Sequence, residues 1–166
     1  VRRDGYRIEK ILFESRPRHY VTGLLFVPDG VDETHRAPGV LVTCGHNANG
    51  KNTFCNQRAP VALAQRGLVA FIYDPIDQGE RQQLPGSDVW SVTGHVNVGL
   101  RAHLVGWGAA QFRIWDGIRA LDVLAARPEV DAARLGVTGM SGGGTMSAYL
   151  NALDARYSAA SPMGYL

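Results

Sequence analysis

The sequence predicts an α/β domain with a mostly parallel sheet and helices on its faces. Three observations carry that prediction. Two continuous apolar runs, Gly39–Cys44 and Leu68–Tyr73, have the character of strands buried on both faces. A segment with helical periodicity, 111–126, separates the second run from a third short apolar run, Leu135–Thr138. That third run leads through a glycine-rich turn into another segment that reads as helix, Thr145–Leu153. Strands alternating with helices imply parallel pairing through right-handed crossovers.

Taken in chain order, Tyr6–Glu14 alternates as a strand, and Tyr20–Val27 reads as its partner in an antiparallel hairpin that ends at Pro28-Asp29-Gly30. The run to Cys44 follows. Pro60–Arg66 reads as the end of a helix stopped by Gly67, and the run to Tyr73 closes at Asp74-Pro75. From Asp77 to about Gly108, glycine, proline and polar residues predict a long irregular excursion. In the helix that follows, Phe112, Trp115, Ile118, Ala120, Leu121 and Leu124 form an apolar stripe expected to face the core, and Pro128 ends it. Tyr157 to Leu166 begins another strand, expected to be an open apolar edge.

Composition excludes several classes. The chain has 166 residues, 45% of them hydrophobic and 19% charged, which is ordinary for one globular domain with a core. A net charge of +2 with scattered arginines leaves no footprint for a nucleic-acid partner. No apolar run approaches the roughly 20 residues of a membrane helix. No signal peptide is visible, so the expectation is a soluble protein, cytoplasmic or exported after signal removal. Cys44 and Cys55 are expected to be free thiols, buried or partly buried. No histidine and cysteine spacing suits a metal, and no cofactor is expected. The series Gly136, Gly139, Gly142 has the wrong spacing for a dinucleotide fingerprint.

The chemistry concentrates at Gly139-Met140-Ser141-Gly142-Gly143, a Gly-x-Ser-x-Gly pentapeptide between a strand and a helix. A serine on such a sharp turn is held above the sheet edge at the positive end of the following helix, where developing negative charge is favoured. Glycine on either side is required where the flanking backbones approach closely. Ser141 is therefore the candidate nucleophile. The plainer alternative is a glycine-rich turn with an incidental serine.

Three stretches together resemble the acetylxylan-esterase-like branch of the α/β-hydrolase superfamily: Cys44-Gly-His-Asn-Ala-Asn-Gly-Lys51, Tyr73-Asp-Pro-Ile-Asp-Gln-Gly-Glu-Arg81 and residues 130–144 around the serine. The resemblance spans nearly the whole chain. It implies an α/β-hydrolase fold and a serine ester hydrolase that cleaves small, acetyl-like acyl esters of sugars or related alcohols through an acyl-enzyme on Ser141. A small-molecule or carbohydrate ester would be the partner. It further implies an oxyanion hole made by the Gly142 amide and an amide of the loop after Cys44. His46 is the leading donor there, Asn47 the next, and Gly45 allows close approach.

In α/β-hydrolases an acid and then a histidine follow the nucleophile. Here His19, His35, His46, His95 and His103 all precede Ser141, and Asp154 is the one acid after it. The expectation is one incomplete α/β-hydrolase domain over residues 1–166, its C-terminal part missing, with the acid and histidine beyond the chain end. These residues alone would be poorly stable and inactive. Asp154 is expected in a cap or loop role, Asp74 as a loop anchor, Glu80 and Arg81 as a structural charge pair, and His95 on the surface.

Two rivals stand beside this reading. Gly45 to Lys51 also fits Gly-x-x-x-x-Gly-Lys after a strand, and Asp74 ends the next strand, as in a phosphate-binding nucleotide site. Asn52 stands where that site needs Ser or Thr. The other rival is a truncated or degenerate hydrolase fold that binds a partner without catalysis.

Overall fold

The computed structural model describes residues 1–83 and 91–164, with residues 91–94 described as backbone only. In chain order the elements are β1 (Arg2–Arg3), β2 (Tyr6–Arg16), β3 (His19–Pro28), β4 (Ala37–Thr43), α1 (Phe54–Ala64), β5 (Val69–Tyr73), α2 (Ser91–His103), α3 (Ala109–Ala125), β6 (Val130–Met140), α4 (Gly142–Leu153) and β7 (Tyr157–Met163). The strands form one sheet in the order β1-β2-β3-β5-β4-β6-β7. The hairpin β2-β3 and the pair β3-β5 are antiparallel, while β5-β4, β4-β6 and β6-β7 are parallel.

The two apolar runs become the central strands because both of their faces are covered. Along β5, Phe71 and Tyr73 join a core with Leu41, Leu121, Leu124 and Leu150, under α3 and α4. The alternate residues Ala70 and Ile72 join a second core with Val42, Cys44 and Ala64, under α1. The chain leaves β4 to reach β5 on one side and returns to β6 on the other. At such a reversal the loops after neighbouring strands diverge and leave a crevice at their carboxyl ends. Thr43 and Met140 sit at that end, so the crevice lies between the loop after β4 and the turn after β6.

Three expectations need correction. The predicted excursion over 77–108 contains the helix α2; its part at 84–90 lies outside the described residues. Gly94 and Gly99 lower helix propensity there, and packing overrides it: a Cβ on Gly99 would stand 3.4 Å from Ala109 Cβ. The predicted stripe holds at Ala120, Leu121 and Leu124, but Arg113, Asp116 and Gly117 complete the buried face of α3 in place of Phe112, Trp115 and Ile118. Trp115 is 39% exposed; its indole N–H donates to Ser15 O at 2.7 Å, and the Arg16 guanidinium lies 5.3 Å from its ring centre. Of the two thiols, Cys44 is buried but Cys55 is exposed. Among the described residues β7 pairs only with β6, and most of its residues are exposed, in line with the expected edge.

Candidate active site

Ser141 stands between β6 and α4 with φ 57° and ψ −121°, outside the regions that L residues favour. Its surroundings hold it there. The Ser141 N–H donates to Met163 O at 2.9 Å, and the Ser141 carbonyl accepts from Thr145 N–H at 3.0 Å. The turn is tight because β4 runs directly beneath it. A Cβ on Gly143 would lie 2.1 Å from Thr43 O, and one on Gly139 would lie 2.3 Å from Thr43 Oγ1. The Thr43 hydroxyl lies 2.6 Å from Gly143 O and 2.8 Å from Ser147 Oγ, binding strand to helix beneath the serine. Ser141 itself is exposed, at the N-terminus of α4. Among the described residues its hydroxyl has no hydrogen-bond partner. The arrangement presents an uncommitted oxygen where a dipole favours negative charge.

The loop after β4 approaches the same turn. A Cβ on Gly45 would meet Met140 O at 2.8 Å, and one on Gly142 would meet the His46 ring at 2.5 Å. His46 therefore lies against the residue that follows the serine, and the sequence-predicted Ser141, Gly142 and His46 come together. Gln78 Nε2 donates to Gly45 O (3.0 Å) and Asn47 O (3.2 Å) and fixes the loop. The Asn47 side chain is occupied locally, accepting from Asn49 N–H at 3.0 Å. The His46 imidazole packs 4.6 Å from that of His95, so His95 belongs to this wall rather than to a remote surface. Burial, and then the positive charge of Arg113, hold His46 below the ordinary histidine pKa.

Arg113 is the residue that sequence reasoning missed. It lines a cavity of about 230 Å3 together with His46, His95, Ala109, Gly142 and Met146. The available signal was an alternative period along α3. Arg113, Asp116, Gly117, Ala120, Leu121 and Leu124 follow i, i+3, i+4, i+7, i+8 and i+11, a core face that happens to begin with two charges.

Away from this crevice the acids are committed. Asp74 follows β5 and accepts from Lys51 N–H (2.7 Å), Glu80 N–H (3.0 Å), Thr22 Oγ1 (3.1 Å) and Lys51 Nζ (2.6 Å), as a loop anchor does. Lys51 Nζ also meets Glu80 Oε2 at 2.5 Å. Burial pulls the lysine pKa down, but the two carboxylates more than offset it and the net shift is upward. This removes the nucleotide-site reading of Gly45 to Lys51: the lysine is buried on two carboxylates, and its amide is bonded to Asp74. The expected Glu80–Arg81 pair does not form. Successive side chains in this turn diverge, and Arg81 turns inward to Asp116 Oδ2 (2.7 Å), Asp74 O (2.9 Å) and Tyr20 O (3.0 Å). Asp154 follows the last turn of α4, where its N–H donates to Leu150 O at 3.0 Å and its carboxylate pairs with Arg156 at 2.6 Å. Among the described residues no group of three or more His, Cys, Asp or Glu side chains is placed to hold a metal, and no helix is long and apolar enough to cross a membrane.

The sheet order, the reversal at β4 and the strained serine between strand and helix define an α/β-hydrolase fold. Residues 3–165 match the acetyl xylan esterase (AXE1) family, and the chain belongs to that family. Among solved structures it is similar to acetyl xylan esterase 1 from Thermoanaerobacterium sp., at 20% identity and a TM-score of 0.75 over 99% of this chain and 50% of that one. A methylesterase, BT1017, is 29% identical with a TM-score of 0.77, over 96% of this chain and 32% of its own. A cold-adapted esterase from an Arctic intertidal metagenomic library is 23% identical with a TM-score of 0.71, over 100% and 63%. The chain thus spans from about a third to under two thirds of the length of these structures. No curated protein matches the sequence.

Proposed function

We propose that this chain is the nucleophile-bearing part of a serine ester hydrolase acting on small acyl esters, acetyl above all, of sugars or related alcohols. The observation that carries the reading is Ser141: a non-glycine residue pinned at φ 57° by backbone bonds at both ends, its hydroxyl uncommitted at a helix N-terminus. Membership of the acetyl xylan esterase family supports the acyl group and the alcohol class.

In this reading Ser141 Oγ attacks the acyl carbon and loses its proton to a base. The carbonyl oxygen becomes an oxyanion that accepts hydrogen bonds from the Gly142 and His46 amides. Collapse breaks the bond to the alcohol oxygen, which leaves protonated. Water then attacks the acyl-enzyme, releases the carboxylic acid and restores the serine hydroxyl. The acid and the histidine of the triad follow residue 166, on the loops after later strands, so residues 1–166 form the first part of one domain. The partial coverage of the similar structures supports that placement.

The test is labelling of the complete protein by a fluorophosphonate probe, located by peptide mass spectrometry. The adduct is expected on Ser141 and lost in Ser141→Ala. Equal labelling of the Ser141→Ala protein would overturn the assignment.

A further inference from the structure

Arg113 is a buried cation with little to hold it. It is only 7% exposed, and among the described residues no carboxylate lies within ion-pair distance of its guanidinium. Among the described residues its one hydrogen bond runs from Nη2 to Cys44 O and is long, 3.4 Å, and its buried Nε has no hydrogen-bond partner. The nearest acid on its helix, Asp116, is engaged by Arg81 and by Ser15 Oγ (2.6 Å). Taking a guanidinium out of water without a counter-charge is expensive, and folded proteins keep such groups where something else supplies the charge.

The surroundings favour an anion. The cavity that Arg113 lines is also walled by Ala109 and Ala110, in the first turn of α3, and by Gly142, Thr145 and Met146, in the first turns of α4. Two helix N-termini therefore border one cavity of about 230 Å3, and the N-terminus of a helix carries the positive end of its dipole. Two imidazoles, His46 and His95, complete the wall. A guanidinium is flat and matches a carboxylate through two parallel hydrogen bonds.

We propose that this cavity is a carboxylate-binding subsite beside Ser141, with Arg113 as its counter-charge. Resting on the esterase reading above, the carboxylate has two chemical sources: an acidic sugar unit of the substrate, such as a uronate, or the carboxylic acid that hydrolysis releases. The subsite would then select acidic sugar esters or retain the product.

The test is isothermal titration of the complete protein, carrying Ser141→Ala, with sodium glucuronate and sodium acetate, each against a neutral counterpart, glucose and acetamide. At least one carboxylate is expected to bind more tightly than its neutral counterpart. Arg113→Gln is expected to weaken it roughly tenfold or more. Glucuronate binding alone assigns the substrate's acid group, acetate alone assigns the released acid, and both support the subsite. Equal binding of charged and neutral members overturns it, as does unchanged carboxylate affinity in an Arg113→Gln protein with a native circular dichroism spectrum. If Arg113→Gln does not fold, Ala110→Phe decides, because it fills the cavity from an exposed wall position: lost binding supports the subsite and unchanged binding overturns it. Fluorophosphonate labelling of the unsubstituted protein is read separately. Labelling without carboxylate binding overturns only the subsite, and binding without labelling overturns only the esterase reading.

Discussion

Two clusters of polar groups lie at the same end of the sheet, and they differ in how far they are satisfied. After β5, Asp74 and Lys51 meet Glu80 and Thr22, while behind them Arg81 reaches Asp116 and His19 and the Ser15 hydroxyl donates to Asp116; every charged group has a partner at hydrogen-bond distance. After β4 and β6, the Ser141 hydroxyl has none among the described residues, and Arg113 has one long bond. A saturated network specifies a fold and has no capacity left for a ligand. Unsatisfied groups retain that capacity. The contrast separates the acids that look catalytic in a list of residues from the groups that can do chemistry.

The largest expected effect falls on the unsatisfied cluster. Ser141→Ala in the complete protein should lower hydrolysis of p-nitrophenyl acetate by about 10⁴-fold or more, with an unchanged urea midpoint. Comparable turnover in the variant would break the comparison at its active end. On the saturated cluster the sign reverses. Asp116→Ala leaves the Arg81 guanidinium buried without its carboxylate and should destabilise the protein by about 3–5 kcal/mol in urea unfolding. Fluorophosphonate labelling of Ser141 should persist in the fraction that remains folded. A stability loss within 0.5 kcal/mol, on the order of a surface substitution, would show that the network is not holding the fold.

Gly143→Ala tests the tightness of the turn. Its Cβ would fall 2.1 Å from the Thr43 carbonyl, so the loss should be about 3 kcal/mol, readable as a lower melting temperature.

A smaller effect comes from pH. Burial raises the Asp116 pKa, but the neighbouring His19, the charge of Arg81 and the hydrogen bonds from Ser15 and Arg81 outweigh it, and the folded value lies below the unfolded one. Its contribution is therefore present above about pH 4, the unfolded value, and is lost as pH falls through the folded value. The urea midpoint should decline below about pH 4, and Asp116→Asn should flatten that decline.

The smallest effect separates the thiols. Cys44 is buried, and burial together with the Asp74 charge drives its pKa upward, while Cys55 is exposed. An aromatic disulfide reagent should titrate one thiol in the native protein and the second only in urea.

Much of the fold was legible in the sequence because burial on two faces leaves a local mark. The runs to Cys44 and Tyr73, the hairpin and the helix after Gly108 all lie within two residues of their expected starts or ends. The helix α2 was hidden because Gly94 and Gly99 argue against helix locally, whereas packing of α2 against α3 overrides that propensity. Glu80 and Arg81 are adjacent in sequence, and adjacency says nothing of direction: their partners, Lys51 and Asp116, lie 29 and 35 positions away.

By itself the sequence determined the α/β class, the strand that ends at Ser141 and the glycines that let that turn close, because these depend on residue type and short spacing. Only the tertiary structure decided that Lys51 and Asp74 are mutually spent, that His46 lies over Gly142, and that Arg113 lines a cavity bordered by two helix N-termini. Those outcomes depend on which distant backbone arrives beside each side chain. A charge takes its role from the partners that the fold brings to it or withholds.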